Sequence, residues 1–204
     1  MEIKNIRVSN LDGAIRGMRN PLGSHDLSDS SWEYQESVIF RSFKIGDNDL
    51  KLARSLIKAG SDHRKFMRQI FISFDLSMPE YWWKQYNTYK VATVENSTSQ
   101  MHTLGKRLLE KEDFCLDEDY PEFETLLSSI NSIISEWQIS KSKKAWRRLI
   151  QIMPQSFVYL KTCTITYETL LNMSVSRKNH KLKEWDWFLD NLIPLCPFFS
   201  ELTE

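Results

Sequence analysis

Apolar residues recur along the chain at two different spacings, which predicts a mixture of helices and strands. Over Asp49–Ala59 they return every three or four positions, and Gly60 stands where a helix often ends in a left-handed residue. This pattern predicts an amphipathic helix. Over Gln69–Leu76 apolar and polar residues alternate, and many are β-branched or aromatic, which predicts a strand.

The same patterns predict elements along the rest of the chain. A strand is predicted over residues 3–8, and residues 33–43 fit either a helix or a strand. Residues 91–103 suit a loop or a short strand, and the acidic residues 110–120 suit a loop. Further helices are predicted around Ala14–Met18 and over His63–Met67, Tyr81–Tyr89, Leu126–Trp137 and residues 143–152, 155–175 and 181–192. With no internal repeat, these elements predict one mixed α+β domain over residues 1–204, with helices dominant.

The composition is that of an ordinary soluble globular protein, with 41% hydrophobic and 26% charged residues. The 27 basic and 27 acidic residues balance, so no general attraction to nucleic acid is expected. No segment approaches the roughly 20 apolar residues of a membrane span, and the N-terminal segment has no apolar signal region. We therefore expect a cytoplasmic protein that binds neither membrane nor nucleic acid.

Common catalytic signatures are missing from the sequence. It contains no Walker A loop, no GxGxxG, no GxSxG and no HExxH, and its four histidines are far apart. Cys115, Cys163 and Cys196 form no CxxC pair, so we expect no zinc site, no disulfide framework and no activated thiolate. The Trp82-Trp83 pair is expected in the core or an interface rather than in a stacking platform.

Residues 46–104 carry a distinctive succession of elements. A helix ends at Gly60, a connection containing His63 leads into a strand, and Pro79 opens an amphipathic helix before a hydroxyl-rich loop. In this layout the segment resembles the N-terminal half of the flavin-dependent thymidylate synthases. Residues 88–101, TYKVATVENSTSQM, align without gaps with the family's signature RHRxxSxNExSxRY.

Residues 145–188 form a second block that resembles the same family. At this place the family has Leu-Pro, a long helix carrying Asn-x-Arg, and then an Asn, an Arg and a nearby His. Counted from Pro154, Asn172 and Arg177 fall on the later Asn and on the Arg that grips the substrate. Lys181 falls on the His, and His180 is one residue away.

The resemblance implies the fold of that family, an α+β domain with a small central sheet and several long helices. It also implies a homotetramer that binds FAD and dUMP, uses NADPH and methylenetetrahydrofolate, and methylates dUMP reductively to dTMP. In such an enzyme the cofactor carries the chemistry and the protein orients the reactants. Arginines suit the phosphates of both ligands because their planar fork binds oxyanions through two hydrogen bonds.

Position by position, the resemblance gives ten residues a role. Arg177 is the catalytic candidate and is expected against the uracil ring or its phosphate. The residues expected to bind the nucleotide are Gln85, Lys90, Ser97, Thr98, Ser99 and Gln100, with the three hydroxyl residues as a phosphate cradle. The residues expected to contact the flavin are His63, Asn172 and His180.

The chain lacks arginine at four family positions, and this leaves its function open. Thr88 and Lys90 replace two arginines of the signature, Gln100 replaces a third, and Glu168 replaces a fourth. The change at Gln100 removes a charge-assisted pair, and Glu168 places an anion where it would repel a flavin phosphate. One hypothesis is a divergent but active enzyme. The other is a catalytically inactive module of the same fold, derived from a phage or another mobile element, that binds nucleotides or partners.

A structural interpretation of the same residues also stands. Arg177 can be a cation at a helix end, where the helix dipole favours it. Ser97–Ser99 can be an ordinary turn, and His63 can be a cap or a surface residue. A third hypothesis, an unrelated helical protein, makes no use of any of these side chains.

Overall fold

The computed structural model of the chain describes residues 1–34 and 41–204. The strands are β1 (Glu2–Ser9), β2 (Ser31–Tyr34), β3 (Arg41–Lys44), β4 (Phe71–Pro79), β5 (Val94–Ser97) and β6 (Val158–Thr166). The α-helices are α1 (Leu11–Gly17), α2 (Asp47–Lys58), α3 (Glu80–Tyr86), α4 (Gln100–Thr103), α5 (Pro121–Ser140), α6 (Lys143–Ile152), α7 (Tyr167–Ser176), α8 (Glu184–Leu192) and α9 (Phe199–Thr203). Short 3₁₀ helices cover Asn20–Leu22, His25–Leu27, Lys65–Gln69, Lys111–Asp113 and Ile193–Leu195.

Four strands form the main sheet, in the order β1-β4-β6-β5. A second, two-stranded sheet pairs β2 with β3 in antiparallel register, so that Trp32 lies opposite Phe43. The two rings are 5.3 Å apart between centroids, a cross-strand aromatic pair of the kind that stabilises antiparallel strands. The predicted α+β class, with a small sheet and several helices, is confirmed.

The described chain divides into two compact units. The first unit consists of Met1–Lys4, Asp75–Tyr89 and Glu95–Thr162, and the second consists of Asn5–Phe74, Lys90–Val94 and Cys163–Glu204. The single domain expected over residues 1–204 stays a prediction. No helix among the described residues is long and apolar enough to span a bilayer.

The core of the first unit forms where α5 packs against α6. Trp82 and Trp83 are fully buried in this unit, with their ring centroids 5.0 Å apart, as expected of core residues. The buried apolar side chains around the α5–α6 contact are Leu104, Leu109, Phe114, Phe123, Ile130, Ile133, Ile134, Leu149 and Phe157.

The second unit contains a buried ion pair. The carboxylate of Asp49, at the start of α2, accepts a hydrogen bond from Arg19 Nε at 2.5 Å and two more from the hydroxyls of Ser28 and Ser30. Burial alone would raise the pKa of Asp49, but these hydrogen bonds outweigh it and hold the pKa below its ordinary value. The pair therefore fixes the loop after α1 onto α2.

Most predicted elements lie where the sequence placed them. Helix α2 covers the predicted helix except for Ala59, its C-cap, and Gly60 comes next with a φ of 103°, in the left-handed region. Helix α6 coincides with residues 143–152, and β4 covers most of the predicted strand. The two ends of residues 33–43 lie in strands, and positions 35–40 lie outside the described residues.

The helix predicted over residues 155–175 is wrong in its first half. Residues Val158–Thr166 form β6, and the helix begins only at Tyr167. Five of the nine strand residues are β-branched, and such side chains fit a pleated strand better than a helix. The apolar spacing of this short run agrees with both structures, so periodicity alone could not separate them.

Candidate functional site

The ten predicted site residues are distributed over both units. Those in the first unit are Gln85, Ser97, Thr98, Ser99 and Gln100. Those in the second unit are His63, Lys90, Asn172, Arg177 and His180.

In the second unit, the connection between α2 and β4 carries His63 and continues into the 3₁₀ helix Lys65–Gln69. This helix packs against both α1 and α7. A 3₁₀ helix repeats every three residues, so neighbouring side chains leave it in different directions. Side chains of the connection therefore contribute both to a cavity beside α1 and to a charged cluster on α7.

The cavity beside α1 has a volume of about 540 Å³. Its walls combine six apolar side chains with six polar or charged ones, and its size is in the range of small-molecule sites. His63 is one of its polar groups, so the structure places this predicted residue in a cavity. The lining residues are Gly17, Met18, Asn20, Pro21, Leu22, Ser24, Leu52, Leu56, Asp62, His63, Lys65, Phe66 and Gln69.

The charged cluster joins the connection to the first two turns of α7. Glu168 lies in the first turn of α7 and is buried, and its carboxylate accepts hydrogen bonds from Arg64 Nε at 3.0 Å and from Arg68 Nη2 at 3.2 Å. Arg68 Nε also donates to Glu168, and Arg64 Nη2 donates to Asn172 Oδ1 at 3.1 Å. We call Arg64, Arg68, Glu168 and Asn172 the arginine cluster.

The charge state of the arginine cluster follows from these contacts. Burial alone would raise the pKa of Glu168, but the hydrogen bonds from Arg68 and Arg64 outweigh it and hold the pKa below its ordinary value. Glu168 is therefore ionised at neutral pH, and two guanidinium charges against one carboxylate leave a net charge of about +1. The expected repulsion of an anion by Glu168 is thus offset within the cluster.

The arginine cluster also has unused hydrogen-bonding capacity. Within residues 1–34 and 41–204, no hydrogen bond uses the Nη1 nitrogen of Arg64 or of Arg68. The Arg68 side chain is 44% exposed, so its outer edge faces solvent. A guanidinium that holds a carboxylate on one edge can bind a phosphate oxygen on another.

Lys90 lies close to the same helix along the chain. The next carbonyl, that of Val91, accepts a hydrogen bond from Thr169 Oγ1 at 3.3 Å, which attaches the segment Lys90–Val94 to the first turn of α7. The structure therefore groups three predicted residues around the start of α7: His63 through its neighbour Arg64, Asn172 directly, and Lys90 through Val91. The exposed ammonium of Lys90 adds positive charge there.

Arg177 and His180 follow at the end of α7. The guanidinium of Arg177 lies 4.9 Å from the ring centroid of the buried Trp185, a cation–π contact that orients it. The backbone N–H of His180 donates to the Arg177 carbonyl at 3.2 Å, and His180 Nδ1 accepts from the Leu182 N–H at 3.0 Å. Because Nδ1 is an acceptor, the neutral ring carries its proton on Nε2.

The first unit holds the predicted nucleotide-binding loop, residues Ser97–Gln100. Thr98 N donates to the Leu160 carbonyl at 2.9 Å, which attaches the loop to β6. Ser99 precedes α4, and its carbonyl accepts from Thr103 N at 3.0 Å. Ser97 and Ser99 are exposed, and Gln85 lies half-buried on α3 of the same unit.

Three charged residues near these elements were not predicted as site residues. Arg64 and Arg68 are spaced four apart in the segment HRKFMR, and this pair of arginines beside His63 was a usable signal. Lys161 is 4% exposed on β6 and pairs with Glu95 of β5. It gave no signal, because its partner lies 66 positions away in the sequence.

Of the comparisons with known proteins, only the one with solved structures finds a match, and it identifies the fold. No protein-family model and no curated protein matches the sequence. Among solved structures, the flavin dependent thymidylate synthase ThyX from Helicobacter pylori complexed with FAD and dUMP matches with a TM-score of 0.73 and 15% identity, over 100% of both chains. A second structure of that ThyX with FAD and dUMP also matches at 0.73 and 15% identity, over 98% of this chain and 95% of the other. At this identity the similarity shows the fold, which is that of ThyX.

Proposed function

We propose that the chain is a divergent flavin-dependent thymidylate synthase that binds FAD and a pyrimidine nucleotide of the dUMP type. The observation that carries this proposal is the arginine cluster, which supplies two guanidinium groups where the sequence had suggested an excess of negative charge. The fold supports it, because the ThyX structures that match the whole chain contain FAD and dUMP.

The second unit has features that fit a flavin. The cavity of about 540 Å³ is large enough for a fused ring system, and its six apolar side chains would contact the ring faces. His63 would meet a polar edge of the ring, and the outer edges of Arg64 and Arg68 would hold the pyrophosphate. Asn172 supports this arrangement because it accepts a hydrogen bond from Arg64 and so fixes the guanidinium.

The nucleotide would be bound by residues of the predicted set. Hydroxyl and backbone groups of Ser97–Ser99 would donate to its phosphate, and Gln85 and Gln100 would add amide contacts. In the second unit, Arg177 would stabilise negative charge on a uracil ring, since its guanidinium is already oriented by Trp185. Lys90 and His180 would add positive or polar contacts to a ligand bound in that unit.

When bound, FAD would supply the hydride for reductive methylation of dUMP to dTMP, with NADPH as reductant and methylenetetrahydrofolate as carbon donor. The protein would bind, orient and shield the reactants. We further propose a homotetramer, which is supported by the exposed apolar side chains of Val91, Val94 and Val175, each more than 70% exposed. The cytoplasmic location stays a prediction.

A second candidate function is a catalytically inactive ThyX-fold protein that binds a nucleotide. It is favoured by the hydrogen bonds that Glu168 accepts from both arginines, because a phosphate would have to share these groups with an internal carboxylate. The replacement of the family's Arg-Tyr by Gln100 and Met101 weakens phosphate binding in the first unit as well. This alternative predicts a colourless protein that still binds dUMP.

The two functions are separated by measuring NADPH oxidation by the purified protein with FAD and methylenetetrahydrofolate, with and without dUMP. The enzyme hypothesis predicts oxidation that dUMP stimulates and that yields dTMP. The double variant R64Q/R68Q should lose it, whereas R148Q, which removes an exposed arginine paired with Glu136, should not. Binding of dUMP without any NADPH oxidation or dTMP would instead support the inactive module.

A further inference from the structure

Lys161 has an unusual position for a lysine, since only 4% of it is exposed. Its ammonium group donates to a carboxylate oxygen of Glu95 and to Asn87 Oδ1, the latter at 3.2 Å. It also lies 4.4 Å from the ring centroid of Trp83, in cation–π contact. All four residues belong to the first unit.

Removing an ammonium group from water is costly, and a buried lysine is retained only when its charge is paired and its donors are used. Here the three donors of the ammonium meet a carboxylate, an amide oxygen and an aromatic face. A phosphate outside the protein would have to compete with all three. Lys161 is therefore built to hold protein segments together, and a direct contact with a ligand is not its role.

The segments that Lys161 joins are those that carry the predicted nucleotide contacts. Asn87 directly follows α3, the helix of Gln85, and Glu95 lies on β5, two residues before Ser97. The residue before Lys161 is Leu160, whose carbonyl accepts the hydrogen bond from Thr98 N. One buried charge thus connects β6 to both sides of the nucleotide site in this unit.

We propose that the Lys161–Glu95 pair is a positioning device that holds the loop Ser97–Ser99 in the conformation that receives a nucleotide phosphate. The proposal rests on the nucleotide binding proposed above. The ion pair between the two side chains fixes β5, and the backbone hydrogen bond of Thr98 fixes the residue after β5. Without the ion pair, β5 would stay paired with β6 at the edge of the sheet but lose the contact that limits movement of the loop.

The test uses three variants of the full chain. K161M keeps an unbranched side chain of nearly the same length but removes the charge. K161M/E95Q removes both charges, so no carboxylate is left without its partner if the single variant folds poorly. T162V is the matched control, because Thr162 is the next residue of β6, is exposed, and hydrogen-bonds to Asp75 at 2.6 Å instead.

Two quantities are measured on each variant: amide hydrogen exchange of residues 94–103, and the Kd for dUMP by titration calorimetry. We expect exchange in this segment and the Kd each to rise about tenfold in K161M and in K161M/E95Q, the factor for losing one hydrogen bond to a charged group. Exchange in α5 should stay unchanged, which excludes general destabilisation. T162V should change neither quantity.

Unchanged exchange of residues 94–103 in both charge-removing variants would overturn the proposal. Faster exchange with an unchanged Kd for dUMP would also overturn it, because the pair would then order the loop without contributing to nucleotide binding. If the wild-type chain does not bind dUMP at all, the nucleotide function fails separately. Faster exchange confined to residues 94–103 would then still support the ordering of the loop by Lys161.

Discussion

Replacing Glu168 by glutamine tests the arginine cluster most sharply, because the side chain keeps its shape and loses only its charge. In the wild-type chain the carboxylate accepts hydrogen bonds from Arg64 Nε at 3.0 Å and from Arg68 Nη2 at 3.2 Å. It also accepts one from Arg68 Nε. In Glu168→Gln the amide group would turn an N–H towards at least one guanidinium, and donor would face donor. The variant should be less stable than the wild-type chain, and it should bind an anion more tightly.

The expected loss of stability is about 2 kcal/mol. Hydrogen bonds to charged groups contribute about 1.5–3 kcal/mol, and the Glu168 side chain is only 12% exposed. The contribution of Arg68 is smaller than that of a buried partner, since its side chain is 44% exposed and is screened by solvent. For a chain of this length the change lowers Tm by about 4–8 °C. The control E136Q, in an exposed pair with Arg148, should cost under about 1 kcal/mol.

The affinity for FAD should increase in the same variant. Loss of the carboxylate raises the net charge of the cluster from about +1 to about +2 and releases guanidinium N–H groups for a pyrophosphate. At about 8 Å and an effective dielectric constant of about 40, one unit charge contributes about 1 kcal/mol, or about fivefold in Kd. The gain should shrink at high salt.

Quenching of flavin fluorescence, titrated at low and high salt, measures this affinity, and urea unfolding measures the stability. A folded Glu168→Gln variant that binds FAD more weakly than wild type would refute the reasoning. In that case Glu168 would hold the arginines in their binding geometry instead of competing with the ligand. E136Q should leave FAD binding unchanged.

Three further predictions follow from other parts of the structure. Asp49→Asn removes the charged partner of Arg19 from a pair in which the Asp49 side chain is 0% and the Arg19 side chain 4% exposed. The free energy of unfolding in urea should fall by about 3–5 kcal/mol. A fall below about 1 kcal/mol would contradict the buried-pair account. The pKa values of Asp49 and Glu168 are lowered by folding, so the stability they contribute is present above their unfolded pKa of about 4 and is lost as pH falls through the lower folded values. In an acid titration followed by tryptophan fluorescence, the free energy of unfolding should therefore fall with decreasing pH below about pH 4.5. The fall should be less steep in Glu168→Gln, and equal slopes in the two proteins would argue against the linkage. Arg177→Lys keeps the charge but loses the planar fork on Trp185, so the Kd for dUMP should rise about tenfold with little change in Tm, and an unchanged Kd in calorimetry would remove Arg177 from the site.

Much of the fold could be predicted because its signals are local. The stripe of α2 and its terminal Gly60 lie within one short segment, and so does the alternation of β4. The error over residues 155–175 arose where local signals conflict. Val158–Thr166 is held as a strand by its neighbours in the sheet, and that pairing is not visible in its own sequence.

The candidate site was predictable only in part, since its contacts join distant positions. Glu168 and Arg64 are 104 residues apart, and no periodicity connects them. From the sequence, Glu168 therefore counted as an isolated repulsive charge, whereas the structure gives it two arginine partners. Lys161 and Glu95 are likewise 66 residues apart. The resemblance placed residues on a family pattern, but the compensating charges of this chain became visible only in three dimensions.

The proposal that the chain binds a flavin is tested most directly by its visible absorption. The purified protein is saturated with FAD, passed over a size-exclusion column and scanned, in parallel with the R64Q/R68Q variant. We predict a flavin band that elutes with the wild-type protein at a stoichiometry near one per chain and that is lost in the variant. A wild-type protein that elutes colourless after saturation with FAD would contradict the flavin-dependent function and leave only the ThyX fold.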